Sequence, residues 1–156
     1  MDRELYLPKQ WAESLERRKE VGVPTKVKFL TKQQLAQKMI ERAIKSKIAF
    51  KWVTGDEVYG NDQSLRVWME QEGLFYVMAL ASNQHVWLGF SQARINQIIK
   101  KISESEWQVI SAGEGAKGPR LYEWVLVPLL SVMIENQRWL LVRRSISDPK
   151  EMAYYV

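Results

Sequence analysis

The sequence predicts an α/β fold with a β-rich second half. Three observations carry that reading. Residues 48 to 82 run strand, helix, strand, as "IAFKWVT", "NDQSLRVWMEQEG" and "LFYVMALAS". Upstream, "TKQQLAQKMIERAIKSK" holds Thr31 and Gln34 at capping-box spacing, and Leu35, Ala36, Met39, Ile40, Ala43 and Ile44 form one helical stripe. Downstream, "WQVISA", "LYEWVLVPLL", "RWLLVRRS" and "MAYYV" are strand-like runs separated by turn residues.

Taken in order, "ELYLP" predicts a short strand ended by Pro8, and "KQWAESLERRKEVG" a polar amphipathic helix closed by Gly22. "GVPTKVKFL" connects it to the capped helix. "IAFKWVT" is apolar on both faces apart from Lys51, which predicts a central strand of a covered sheet. In the next helix Asn61 or Asp62 is the cap, Leu65, Trp68 and Met69 the apolar face and Gly73 the stop. "LFYVMALAS" reads as a buried strand parallel to the first. "SQARINQIIKKIS" predicts a further helix with Ile95, Ile98, Ile99 and Ile102 as its stripe.

Composition narrows the chemistry. A chain of 156 residues buries roughly two thirds of its unfolded surface as one domain. It has no cysteine, which excludes disulfides, thiolate metal sites and a cysteine nucleophile, and its single histidine, His85, excludes a multi-histidine centre. Any bound metal is therefore expected to be a hard, oxygen-liganded ion. Residues 1 to 50 hold 12 Lys or Arg against 6 Asp or Glu, and the remainder carries no net excess of positive charge. A basic flank suits a polyanion, and equally an ordinary solvated surface. The longest weakly charged apolar stretch, "WVLVPLLSVMI", has 11 residues, short of the ~20 that span a bilayer. "MDRELYLPKQW" has no signal-peptide pattern, so a cytoplasmic location is expected.

The strongest chemical signal is "GDEVYG", residues 55 to 60, which puts Asp56 and Glu57 just beyond a strand's carboxyl end. Ligands and catalytic groups collect at such ends in open α/β sheets. Gly-Asp is also common turn chemistry, so a helix cap and a metal ligand both remain open for Asp56. "GEGAKG", residues 113 to 118, formally fits a dinucleotide loop, but Pro119 and a strand-like run follow where that loop needs a helix. It reads as a hairpin loop in which Lys117 and Arg120 can meet phosphate. Of the seven tryptophans, Trp52, Trp68 and Trp139 read as core, whereas Trp87 and Trp107 are undetermined. Arg143 and Arg144, adjacent in a strand, face opposite sides.

Several strings together, "LYLPKQW", "WVTGDEVYG", "SNQHVW", "GEGAKGPRLYEW" and "RWLLVRRSISDPKEMAYY", resemble in order and spacing the middle of the DDE-type transposases of a group of bacterial insertion sequences. The resemblance implies a ribonuclease H-like core, here incomplete and covering residues 1–90. A helix and a β-rich insertion subdomain would follow over residues 91–156. It implies two divalent ions, Mg²⁺ or Mn²⁺, held by Asp, Asp and Glu, with Asp56 as the second Asp. Lys117, Arg120, Arg143 and Arg144 become candidate contacts to transposon-end DNA, and a second copy or an intact transposase becomes a candidate partner, with no membrane involved and a location at the nucleoid.

The family's first Asp and final Glu have no counterpart. Asp2 stands in the wrong context, and Glu57, Glu123 and Glu151 do not match the final position. The expectation is therefore a transposase fragment that neither nicks nor joins DNA alone. A non-catalytic module or repressor on transposon ends is the alternative, and an unrelated α/β protein in which Asp56 is only a cap is the third reading.

Overall fold

The structure, a computed structural model, describes residues 2–116, 118–130 and 137–156. These fall into two compact units, residues 1–51 and 52–156.

The first unit is helical. Residues 4–8, predicted as a strand, pair with nothing in a ladder. Asp2 and Glu4 are instead bound by Arg42, at 2.9 Å and 2.5 Å, so side chains rather than a sheet fix the segment. The helix predicted over 9–22 is two helices, α1 (Lys9–Glu13) and α2 (Leu15–Glu20). Ser14 breaks it: its backbone is extended and its hydroxyl accepts from the Arg17 N–H, the capping role serine prefers to a helix interior. Arg18 is buried and donates to the carbonyls of Ala12 and Val27, at 3.2 Å and 2.8 Å, and of Pro24, so one guanidinium holds the end of α1 and the following connection. The third helix, α3 (Lys32–Lys45), starts at the expected capping box, with Thr31 accepting from the Gln34 N–H and the Gln34 side chain from the Thr31 N–H.

The second unit is one six-stranded sheet with helices and a hairpin on one face. β1 (Trp52–Gly55) runs through α4 (Glu57–Gly60) and α5 (Gln63–Gln71) to a parallel neighbour, β2 (Phe75–Leu80). A separate hairpin of β3 (His85–Leu88) and β4 (Ser91–Arg94) leads into α6 (Ile95–Ile99) and a single 3₁₀ turn at Glu104–Glu106. Then β5 (Gln108–Gly115), β6 (Gly118–Leu129), β7 (Arg138–Ser145) and β8 (Met152–Tyr155) form an antiparallel meander. The meander folds back so that β8 pairs with β2, giving the order β1-β2-β8-β7-β6-β5. The strands after residue 108 thus belong to the same sheet as β1 and β2.

Period-2 alternation sends Leu80, Val125, Leu140 and Val142 to one face, where they meet Val86, Ile95 and Ile98 from the hairpin and α6. Leu65 and Met69 of α5 are also buried. The opposite face carries no helix of this unit among the described residues, and three expectations fail, two of them on that face. β1 is an edge strand rather than a central one, because β2 is its only neighbour in the sheet. Trp52 is 61% exposed and rests against Phe75 at 5.2 Å between ring centroids, and Trp139 is 42% exposed, so neither is core. Residues 91–94, predicted as the start of a helix, pair with β3, and only Ile95–Ile99 of that segment is helical.

Candidate functional site

The turn "GDEVYG" gives both of its glycines and its carboxylate a defined place. Gly60 is buried with the end of α4 pressed onto β2: a Cβ built there would lie 1.8 Å from the carbonyl oxygen of Ala79, and the position admits nothing larger than glycine. Gly55 lets the sulfur of Met78 approach in the same way. The side-chain oxygen of Asn61 accepts from the Ala81 N–H at 3.0 Å, tying the exit of the turn to the end of β2. Arg66, reaching back from α5, donates to the Gly60 carbonyl, and burial holds its pKa below the ordinary arginine value. The turn is therefore held to β2 by Gly60 and Asn61 and to α5 by Arg66.

Asp56 stands at the carboxyl end of β1 on this clamp. It is exposed, and its Oδ1 accepts from the Val58 N–H at 3.0 Å, capping α4. Asp62 caps α5 through the Leu65 N–H at 2.8 Å. The cap reading of Asp56 is thus realised in the structure, and it is compatible with a further role because the carboxylate is exposed. Glu57, next in the chain, is also exposed. Among the described residues no three histidine, aspartate or glutamate side chains converge so as to hold a metal ion. The residues present do not, on their own, fit the divalent centre that the transposase resemblance implies.

The basic candidates lie in the meander. Lys117 is outside the described residues. Arg120, on the β5–β6 hairpin that "GEGAKG" closes, is exposed and donates to the Ala112 carbonyl at 3.0 Å. Arg143 and Arg144 face opposite sides, as the pleat requires. Arg143 is half-buried with its guanidinium 4.5 Å from the Tyr122 ring centroid. Arg144 is buried, donates to Glu104 at 2.6 Å and to Glu123 at 2.7 Å, and lies 4.1 Å over Trp107. Its two carboxylate partners, Glu104 first, push its pKa above the usual arginine value, and it in turn holds the Glu104 carboxyl below the ordinary carboxylate range. Two negative charges already answer this guanidinium.

Sequence reasoning missed a second polar centre. Glu70, buried on α5, accepts from both Arg138 Nε and Nη2, at 2.6 Å and 2.5 Å, and from the Tyr76 hydroxyl at 2.5 Å. Desolvation is the largest influence on Glu70 and would raise its pKa, but the bonds from Arg138 and Tyr76 together outweigh it and leave the carboxyl below its ordinary value. Burial and the same carboxylate push the Tyr76 hydroxyl far up. In sequence Glu70 is one more polar residue following the stripe residue Met69, and its partner lies 68 residues away.

The network edges an open cleft of about 510 Å³ on the bare sheet face, whose walls include Trp52, Phe75, Leu126, Trp139 and Tyr155. No helix among the described residues is long and apolar enough to cross a membrane.

No curated protein and no solved structure matches the chain. Residues 1–97, more than half of the chain and including the whole of the Asp56 turn, match the family described as DDE superfamily endonuclease, and the chain belongs to that family.

Proposed function

We propose that the chain is a portion of a DNA transposase in which Asp56 is the second of three catalytic carboxylates, and that by itself it neither nicks nor joins DNA. One observation carries the proposal: within the family match, Asp56 is exposed at the carboxyl end of a strand, on a turn fixed to the neighbouring parallel strand by Gly60 and Asn61. The parallel β1 and β2, joined through α4 and α5, support the reading of a ribonuclease H-like core. DDE endonucleases use divalent metals, Mg²⁺ or Mn²⁺, to activate the attacking oxygen and stabilise the leaving one. This chain contributes one carboxylate, positioned and exposed, and the other ligands have to come from outside these residues. Asp56 then serves as a positioned donor while Gly60 and Arg66 keep its turn from moving.

Asp56→Asn serves as the control, since asparagine caps a helix about as well as aspartate while removing the charge. Incubated with Mg²⁺ or Mn²⁺ and duplexes taken from the DNA flanking its gene, the pure chain is expected to yield no nicked or joined product. Robust Mg²⁺-dependent cleavage that Asp56→Asn abolishes, with the fold intact, would refute the proposal of inactivity.

A second reading, a module that occupies transposon ends without cutting, is favoured by the partition of charge. Residues 1–51 carry 13 Lys or Arg against 6 Asp or Glu, a net +7, whereas residues 52–156 carry 10 against 12, a net −2. Phosphate binding would rest on the first unit. Binding that prefers end sequences over random duplex at the same salt concentration distinguishes this reading from electrostatic attraction alone.

A further inference from the structure

We infer that the β3–β4 hairpin is a contact for an unpaired strand of DNA, with Trp87 and Phe90 as stacking platforms and Arg94 as the phosphate contact beside them. The inference rests on the reading of the chain as part of a DNA transposase, and the family match over residues 1–97 spans the hairpin. Val86 and Ala93 turn towards the core, so alternation sends Trp87, Gln92 and Arg94 to the other side of this two-stranded ribbon. Trp87 lies opposite Gln92, and Arg94 is its diagonal neighbour, ~7–8 Å away by the usual spacing of such pairs.

The tip adds a second ring. Leu88 pairs with Ser91, which leaves Gly89 and Phe90 as a two-residue turn, and Gly89 supplies the positive φ, +55°, that the first position of such a turn needs. Phe90 is thereby held at the apex, 98% exposed, and Trp87 is 39% exposed. A phenyl ring at that place adds nothing to the core of its own unit. Two rings on one ribbon can stack on base faces, a contact that every base offers and that needs no particular sequence. In a duplex those faces already stack on one another and must first be opened, so the unpaired strand is the partner that meets both rings without that cost.

Side-chain chemistry, rather than exposed area, selects a nucleic acid. Residues 73–103 hold Arg94, Lys100 and Lys101 and no aspartate or glutamate, whereas the rest of residues 52–156 holds 7 Lys or Arg against 12 Asp or Glu. All three cations are exposed, and among the described residues none of them meets a carboxylate. The two lysines follow α6, whose first N–H, that of Ile95, is bonded to the Gln84 carbonyl at the start of β3. A polyanion is therefore drawn to the stretch that carries the rings and repelled by the remainder of the unit.

Fluorescence anisotropy tests the inference, with the whole chain titrated into a labelled single strand of about 16 nucleotides and into the duplex of the same sequence. Trp87→Ala and Phe90→Leu are each expected to weaken single-strand binding by about 5- to 150-fold, the value of one lost stack, and to leave duplex binding within about twofold. Phe90→Tyr, which keeps the ring, is expected to bind as the wild type does. Arg94→Gln is expected to lower the slope of log K against log salt by about 0.7 for the single strand, the share of one phosphate contact. Because Phe90 is almost wholly exposed, its two variants test the inference even where Trp87→Ala fails to fold. Single-strand affinity that neither Trp87→Ala nor Phe90→Leu changes, a slope that Arg94→Gln leaves unmoved, or an equal loss with Phe90→Tyr overturns the inference. So does an equal loss on the duplex, which would assign the ribbon to a DNA groove. An oligomer that Phe90→Leu dissociates while DNA affinity stays unmoved overturns it in favour of a protein partner. A wild type that binds neither DNA overturns the transposase reading together with the inference, whereas binding that every variant leaves unmoved overturns the inference alone.

Discussion

Gly60→Ala is the substitution in which local propensity and tertiary packing predict opposite signs. In a helical position free of contacts, alanine stabilises by roughly 0.4–1 kcal/mol, because the unfolded chain has less freedom to lose. At Gly60 the added Cβ would meet the Ala79 carbonyl oxygen at 1.8 Å and the Met78 Cβ at 3.1 Å, where ordinary contact begins at 3.4 Å. The carbonyl has little room to turn aside, since the preceding residue, Met78, exchanges both backbone hydrogen bonds with Val156 and fixes β2 at this point. The end of α4 must therefore retreat from β2, at an overpacking cost of about 1–3 kcal/mol. Retreat also strains the bond between Ala81 and Asn61 and the one from Arg66, each worth about 1 kcal/mol. The net expectation is a loss of about 2–3 kcal/mol, or roughly 4–12 °C in Tm for a domain of this size. Urea unfolding of the wild type and variant, compared at equal slopes, measures it. A neutral or stabilising result would refute the claim that the turn is pressed against β2, and with it the rigid placement of Asp56.

Two further expectations concern the buried charges. Glu70→Ala leaves Arg138 and Tyr76 without their acceptor and should cost about 3–5 kcal/mol by chemical denaturation. Because the Glu70 carboxyl is held below its unfolded value, its contribution is present above the unfolded pKa and is lost as pH falls through the lower folded pKa; the wild type should lose stability there and Glu70→Gln should lose less. Arg144→Ala should cost about 2–4 kcal/mol, since it empties the place between Glu104, Glu123 and the Trp107 ring, yet the salt slope of DNA binding should not move with it. A reduced slope would instead make Arg144 a phosphate contact.

Local patterns were legible wherever one short segment decides them. The Thr31 and Gln34 box, the Asp62 cap and the four strands of the meander follow from spacing and alternation. Ser14 was misread because capping and helix-interior serines look alike without their geometry. The position of β1 was misread for a different reason: a run that is apolar on both faces reads as covered on both, and nothing in the run records that the layer over one face is lacking. At the site, the strand-end placement of Asp56 was legible. That Gly60 is fixed by a carbonyl of β2, and that Arg144 is already paired, depends on contacts 19 to 40 residues apart. Resemblance carried the chemistry that such local patterns lack.

The return of β8 to β2 gives the sheet an order of assembly. Trp52 and Phe75 are 23 residues apart, and β5, β6 and β7 are adjacent in sequence, so the parallel pair and the meander can each form from nearby chain. Ala79 and Tyr155 are 76 residues apart. Loop closure alone makes that pairing only ~1 kcal/mol less favourable than the shorter one, so the delay comes from waiting for two preformed halves to meet. Until β8 docks on β2, those two strands each keep an open edge of backbone donors and acceptors. Refolding at high concentration should therefore be limited by capture of those edges by other chains, and dilution should raise its yield.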